Sequence, residues 1–148
     1  VDASGLARKL NELGCDVLTG LGKEGALSPS QWESLCAKSA TWTFPKLLMD
    51  QKILYGVVNY LKSEILFKAR ISPPRLVGSC GDEELERVYE AVGTIPRWAL
   101  ETKLRMGLAF RGRFNMKIYR KKIVDGFVVK REKTADNRTT HWVPEIQK

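Results

Sequence analysis

Apolar residues recur at helical spacing through roughly the first two thirds of the chain. Leu6, Leu10 and Leu13 stand three or four apart, which predicts a helix over Ser4 to Leu13 that Gly14 ends. Leu18 to Gly25 is broken by glycines and reads as loop. Ser28-Pro29-Ser30 opens the next helix, with Ser28 or Ser30 as its cap and Trp32, Leu35 and Cys36 on its buried face. Thr43-Phe44-Pro45 starts a short helix through Leu47 and Leu48, and Asp50-Gln51-Lys52 then turns the chain into Ile53 to Val58. Asn59 is expected to cap a helix from Tyr60 to Ala69, with Leu61, Ile65 and Leu66 facing inward. Ile71-Ser72-Pro73-Pro74 stops it. Asp82-Glu83-Glu84 suits a helix N-terminus, and Leu85, Val88, Tyr89 and Val92 follow in period. Gly93 is expected to end that helix and Thr94-Ile95-Pro96 to begin another, through Trp98, Leu100 and Leu104. Trp32, Trp42 and Trp98 are expected in the core.

The pattern then changes. Asn115 to Lys122 and Phe127 to Lys133 read as strands around Val124-Asp125-Gly126, a turn of the Asp-Gly hairpin type. A further turn at Ala135-Asp136-Asn137 precedes an extended run from Arg138 to Val143. The fold class is therefore mainly α with a small β element: a helical domain over residues 1–106, then a basic β-hairpin region over residues 107–148.

Charge follows the same division. Residues 1–96 carry 11 basic and 12 acidic side chains, whereas residues 97–133 carry 12 basic and 3 acidic. So dense a patch favours a polyanion, and nucleic acid is the leading partner; a solvated basic hairpin is the plain alternative. A membrane is disfavoured, because no apolar run approaches the ~18 residues of a span and the basic run has strand periodicity. The chain of 148 residues is 43% hydrophobic and 28% charged, which excludes wholesale disorder. Val1-Asp2-Ala3-Ser4 lacks the pattern of a secretory signal. The three scattered cysteines, Cys15, Cys36 and Cys80, fit buried thiols in an intracellular, reducing compartment.

Two segments carry a more specific message. Leu48-Met49-Asp50-Gln51-Lys52, then Gly56-Val57-Val58-Asn59-Tyr60 and Glu64-Ile65-Leu66-Phe67, closing at Pro73, resemble the helix-two-turn-helix of the formamidopyrimidine-DNA glycosylase and endonuclease VIII family. The order and spacing match over about 25 residues, with Val58 where the family turn has its second glycine. A β-branched residue takes positive φ only at a cost, so the turn is altered if that position needs it. Asn137-Arg138-Thr139-Thr140-His141-Trp142-Val143-Pro144-Glu145-Ile146-Gln147 resembles the family's last finger strand. Val143 and Ile146 stand where two zinc-binding cysteines would be. The resemblance is thus to the subgroup with a metal-free, zincless finger, most like the giant-virus form. No cofactor and no metal are expected, and the finger is expected to be held by strand pairing and by packing around Trp142, Val143 and Ile146.

The resemblance implies roles. Asn59 matches the family asparagine that binds phosphate beside the lesion, and Arg138 the finger arginine that grips phosphates around the extruded nucleotide. Lys52 and Lys62 are candidate additional phosphate contacts. Lys117, Arg120, Lys121, Lys122, Lys130 and Arg131 are expected to supply sequence-independent attraction. Asn59 and Arg138 are pictured on opposite walls of a cleft. Glu64 and His141 match positions with structural rather than chemical roles.

The family's nucleophile is an N-terminal proline followed by glutamate on a β-sandwich, and no segment here reads as that. The implied function is damaged-DNA binding as the C-terminal half of a base-excision-repair glycosylase and abasic-site lyase, inactive alone. Its expected partners are double-stranded, damaged or abasic DNA and a separate N-terminal catalytic half, in a nucleus or viral replication site. A stand-alone, non-catalytic DNA-binding protein is the alternative. An RNA-binding role rests on charge alone.

Overall fold

The computed structural model describes residues 15–17, 27–107 and 116–148. The predicted helix over Ser4 to Leu13 and the loop from Leu18 to Gly25 lie outside them. Ser28 caps α1 (Pro29–Lys38): its hydroxyl accepts from the Gln31 N–H, and the Gln31 side chain accepts from the Ser28 N–H, a reciprocal capping box. Thr43 precedes α2 (Phe44–Leu48), a single turn whose Phe44, Leu47 and Leu48 are fully buried. The chain then forms β2 (Leu54–Tyr55), which pairs in parallel with β1 (Cys15–Asp16), a pairing that neither segment's pattern announces.

Helix α3 (Asn59–Ala69) is the spine of the molecule, buried at every position from Leu61 to Leu66. Its Ile65, Leu66 and Ala69 join Phe44, Leu47, Leu48, Val88 and Val92 in the main apolar cluster. Each side chain of this size withdrawn from water contributes about 1.5–3 kcal/mol. Trp32 anchors α1 to the next long helix by donating its indole N–H to the Leu85 carbonyl at 3.0 Å.

That helix, α4 (Asp82–Met106), corrects the expected break. It runs unbroken through Gly93 and Pro96 for 25 residues. Val88, Val92, Pro96 and Ala99 are all buried and keep one helical face continuous across both residues. Packing along α3 outweighs one missing N–H at Pro96 and the intrinsic cost of Gly93. Trp98 is the second correction. At 39% exposure it is no core residue but lines a cleft with Phe67, Ile95, Lys117 and Phe127. Trp42 is half-buried beneath the Lys46 ammonium, 4.2 Å from its ring centroid.

The C-terminal region is two antiparallel hairpins. β3 (Ile123–Val124) and β4 (Phe127–Val128) join through Asp125-Gly126, both at positive φ as a two-residue hairpin turn needs. β5 (Lys130–Lys133) pairs with β6 (Thr139–Trp142), in register Lys130 with Trp142 and Lys133 with Thr139. The predicted strand from Asn115 to Lys122 does not form over its described part. Residues 116–122 instead make a turn, because their N–H groups are drawn to a side chain of α3 rather than to a strand. No helix among the described residues is long and apolar enough to cross a membrane.

Candidate nucleic-acid interface

Three consecutive polar residues on α3, Lys62, Ser63 and Glu64, are buried, and each binds a different part of the C-terminal region. The Glu64 carboxylate accepts the backbone N–H groups of Lys117, Ile118 and Tyr119 at 2.6, 2.9 and 2.8 Å. The Ser63 hydroxyl accepts the His141 N–H at 3.1 Å, fixing β6. Lys62 donates to the Asp136 carboxylate at 2.6 Å, fixing the β5–β6 turn. The region is thus docked on the helix by directed hydrogen bonds, of which those to the Glu64 carboxylate and from the Lys62 ammonium are of the stronger, charge-assisted class.

A small apolar cluster completes the docking. Ile118, Val129 and Val143 are buried together, with Phe67, Val124 and Ile146 packed against them. Val143 and Ile146, the two residues at the family's cysteine positions, are therefore both packing residues. Gln147 closes the C-terminal turn, accepting from the Val143 N–H at 2.8 Å and donating to the Ile71 carbonyl at 2.9 Å. Among the described residues no group of three His, Cys, Asp or Glu side chains could hold a metal ion. Trp142 is buried, with the Lys130 ammonium 5.4 Å from its ring centroid. Cys36 is buried, and desolvation first, then Cys80, pushes its thiol up to about 12.

The turn before α3 answers the question raised by Val58. Gly56 takes the positive φ of 105°, while Val58 is extended at φ −102° and ψ 164°. A β-branched residue adopts that conformation freely, so the substitution leaves the turn intact. Val58, not Asn59, is the N-cap, and it makes no side-chain capping bond. Asn59 is the first helical residue instead. Its side-chain oxygen accepts from the Lys62 ammonium at 3.0 Å.

The expected site residues fall into two groups. Asn59, Lys62 and the turn bearing Arg138 come together, because Lys62 bonds both Asn59 and Asp136, two residues before Arg138. The start of α3 and the Arg138 turn therefore meet at one ammonium. Arg120 and Arg131, both exposed, lie close enough to His141 for their charges to act on it, as does Lys62. Lys121 and Lys122 are exposed in the adjoining turn. Lys52 stands apart, in a hollow against α1 with Ser30 and Lys38. Lys117 opens onto the Trp98 cleft, and Lys130 faces Glu132 at 3.7 Å.

Lys62 itself needs correction as a phosphate contact. Its side chain is fully buried and its ammonium is committed to two protein acceptors. Desolvation lowers its pKa, the Asp136 hydrogen bond and charge oppose this, and Arg138 lowers it further. Asp136, Thr134 and Tyr119 are the residues that sequence reasoning passed over. Thr134 bonds Asp136, Thr140 and the Arg138 carbonyl, and Tyr119 meets His141 edge-on at 4.9 Å. An acid inside a Thr-Ala-Asp-Asn turn is the one signal that could have marked the first two.

A two-stranded finger is thus seated by polar anchors on the second helix of a helix–turn–helix pair. Residues 21–108 match the family model of the formamidopyrimidine-DNA glycosylase H2TH domain, and the chain belongs to that family. It is 31% identical over 126 residues to the formamidopyrimidine-DNA glycosylase of Carboxydothermus hydrogenoformans, covering 75% of this chain and 46% of that protein. To endonuclease 8 of Klebsiella pneumoniae it is 32% identical over 121 residues, covering 76% and 45%. The fold is that of a viral DNA glycosylase, with a TM-score of 0.73 at 23% identity, over 99% of this chain and 53% of the other. It is equally that of Lactococcus lactis Fpg bound to DNA containing an abasic site, with a TM-score of 0.74 at 16% identity, over 100% and 57%. The chain spans about half the length of the curated relatives it matches.

Proposed function

We propose that this chain grips the backbone of damaged or abasic double-stranded DNA as the C-terminal half of a base-excision-repair glycosylase. The observation that carries the reading is the convergence of Asn59, in the first turn of α3, with the turn that presents the exposed Arg138. A helix N-terminus offers N–H groups without intrahelical partners and the positive end of the dipole, both suited to phosphate. An arginine beside it adds a planar, bidentate cation. Arg120, Lys121, Lys122 and Arg131 add exposed positive charge to the same C-terminal region, which attracts DNA of any sequence. In this reading the bond-breaking chemistry comes from an N-terminal catalytic half, on the same or on a separate polypeptide.

Binding to a duplex bearing a tetrahydrofuran abasic analogue, followed by fluorescence anisotropy across a salt series, tests this. Affinity should fall steeply with salt, because each neutralised phosphate releases counterions. Arg138→Ala should cost about 1.5–3 kcal/mol and flatten the logarithmic salt slope by about one unit. Asn59→Ala should weaken binding with little change in slope, since it removes a neutral donor. If both variants bind like the wild type, this surface is not the clamp.

A further inference from the structure

A fully buried lysine is unusual, and Lys62 sits where the two gripping elements meet. Its ammonium donates to Asn59 Oδ1 at 3.0 Å and to Asp136 Oδ2 at 2.6 Å. The first bond settles the amide: with its oxygen held by a cation, Asn59 is left its NH2 group for an outside acceptor. The second bond seats the turn. The other carboxylate oxygen of Asp136 takes the Thr134 hydroxyl, and Thr134 closes on the Arg138 carbonyl at 3.0 Å. Asn137 lies between them at φ 63°, the left-handed position that lets a short turn close. A leucine at position 62 could fill the same space, but it would fix neither the amide nor the turn.

We propose that Lys62 is a positioning residue: it locks the N-terminus of α3 and the Arg138 turn into one preorganised phosphate clamp without touching DNA itself. The proposal rests on the DNA-binding reading above. Its physical basis is that groups already fixed in their bound geometry lose less freedom on binding. A buried ion pair suits that task because its worth lies in direction and register more than in net stability.

The test uses the full chain, the same tetrahydrofuran duplex and a salt series, with thermal unfolding to confirm that each variant folds. Lys62→Met should weaken binding about tenfold while moving the salt slope by less than about half a unit. A lysine in contact with phosphate would flatten the slope by about one. Asp136→Asn adds positive net charge close to the site, so electrostatics alone would tighten binding. Loss of positioning should instead weaken it several-fold. The effect of Arg138→Ala should also shrink in the Lys62→Met background, because the arginine is no longer held in place. Wild-type affinity in Lys62→Met, a slope flattened by a full unit, or unchanged or tighter binding by Asp136→Asn would each overturn the proposal. Should Lys62→Met fail to fold, Asp136→Asn decides alone, since it removes the carboxylate charge that pairs with Lys62 at almost unchanged side-chain size. Failure of the underlying reading looks different: the wild-type chain then shows no affinity for the duplex, and the positioning role falls with it.

Discussion

Helix α3 carries two different kinds of interface along its length. Toward α2 and α4 it presents Ile65, Leu66 and Ala69, which merge with Phe44, Leu47, Leu48 and Val88 into the main apolar cluster. Toward the finger it presents Lys62, Ser63 and Glu64, and the apolar contribution there is the small group of Ile118, Val129 and Val143. The contrast separates two jobs. Apolar packing supplies most of the free energy but tolerates repacking of similar volumes. Hydrogen bonds to buried charges fix direction and register, and they fail sharply when one partner is lost. The finger, with the turn that bears Arg138, is held in place by the second kind.

Glu64 is where this contrast breaks most visibly. Replacing it with alanine leaves the N–H groups of Lys117, Ile118 and Tyr119 without their shared acceptor. At about 1–3 kcal/mol for each buried donor left unpaired, the loss is on the order of 4 kcal/mol. Hydrogen exchange should show the finger amides losing protection while amides in α3 and α4 keep most of theirs. A uniform loss across both regions would mean that the finger is not separately anchored. No change would mean that the carboxylate carries nothing. Glu64→Gln should fall between, because it keeps one acceptor oxygen and turns the other into a donor facing an N–H.

How much of this was legible in the sequence depends on which kind of interface is read. The helical region announced itself, because Trp32, Leu47, Leu48, Ile65 and Val88 recur with the period of the element that buries them. The hairpin turn at Asp125-Gly126 was equally plain, since its chemistry is local. The finger's docking was not. The resemblance marked Glu64 as structural, but nothing in a Lys-Ser-Glu run says what it holds, and only the fold reveals three segments from residues 117–141 arriving to satisfy it. For the same reason Lys62 reads as a surface cation and Asp136 as a mere turn residue. Residues 116–122 alternate like a strand, yet their N–H groups close on Glu64, a partner 53 to 55 positions away. The continuity of α4 was hidden differently: Gly93 and Pro96 are local break signals, overridden by the face that packs on α3.

Gly93 offers a smaller, oppositely signed test of that last point. It is exposed, it lies inside α4, and a Cβ added there meets nothing within 4 Å among the described residues. Gly93→Ala should stabilise the chain by about 0.4–1 kcal/mol, through the reduced freedom of the unfolded state and better helix propensity. Chemical denaturation resolves a shift of that size as a higher midpoint at unchanged slope. A destabilised variant would mean that the chain needs a break at Gly93, and that two helices meet there. Gly78→Ala should behave oppositely, because its Cβ would come 2.8 Å from Ala40 Cβ and 2.9 Å from the Ala40 carbonyl oxygen.

The smallest expected effect lies at His141, the only histidine in the chain. Its ring is buried on β6, its Nδ1 has no hydrogen-bond partner among the described residues, and it meets Tyr119 edge-on. Burial holds its pKa below the ordinary 6.5, and the charges of Arg131, Arg120 and Lys62 press in the same direction. The unfolded chain therefore takes up a proton near pH 6.5 that the folded chain resists. Above that pH both states are neutral at this residue, and stability is at its full value. As pH falls below 6.5, the unfolded state is favoured progressively until the folded state protonates as well. The slope for one proton cannot exceed about 1.4 kcal/mol per pH unit, and a partial difference gives less. Denaturation midpoints between pH 7.5 and 5.5 should thus decline for the wild type and stay nearly level for His141→Gln. If the two declined in parallel, the loss would belong to groups other than this imidazole. The imidazole would then be no more than a packing element between Tyr119 and the finger.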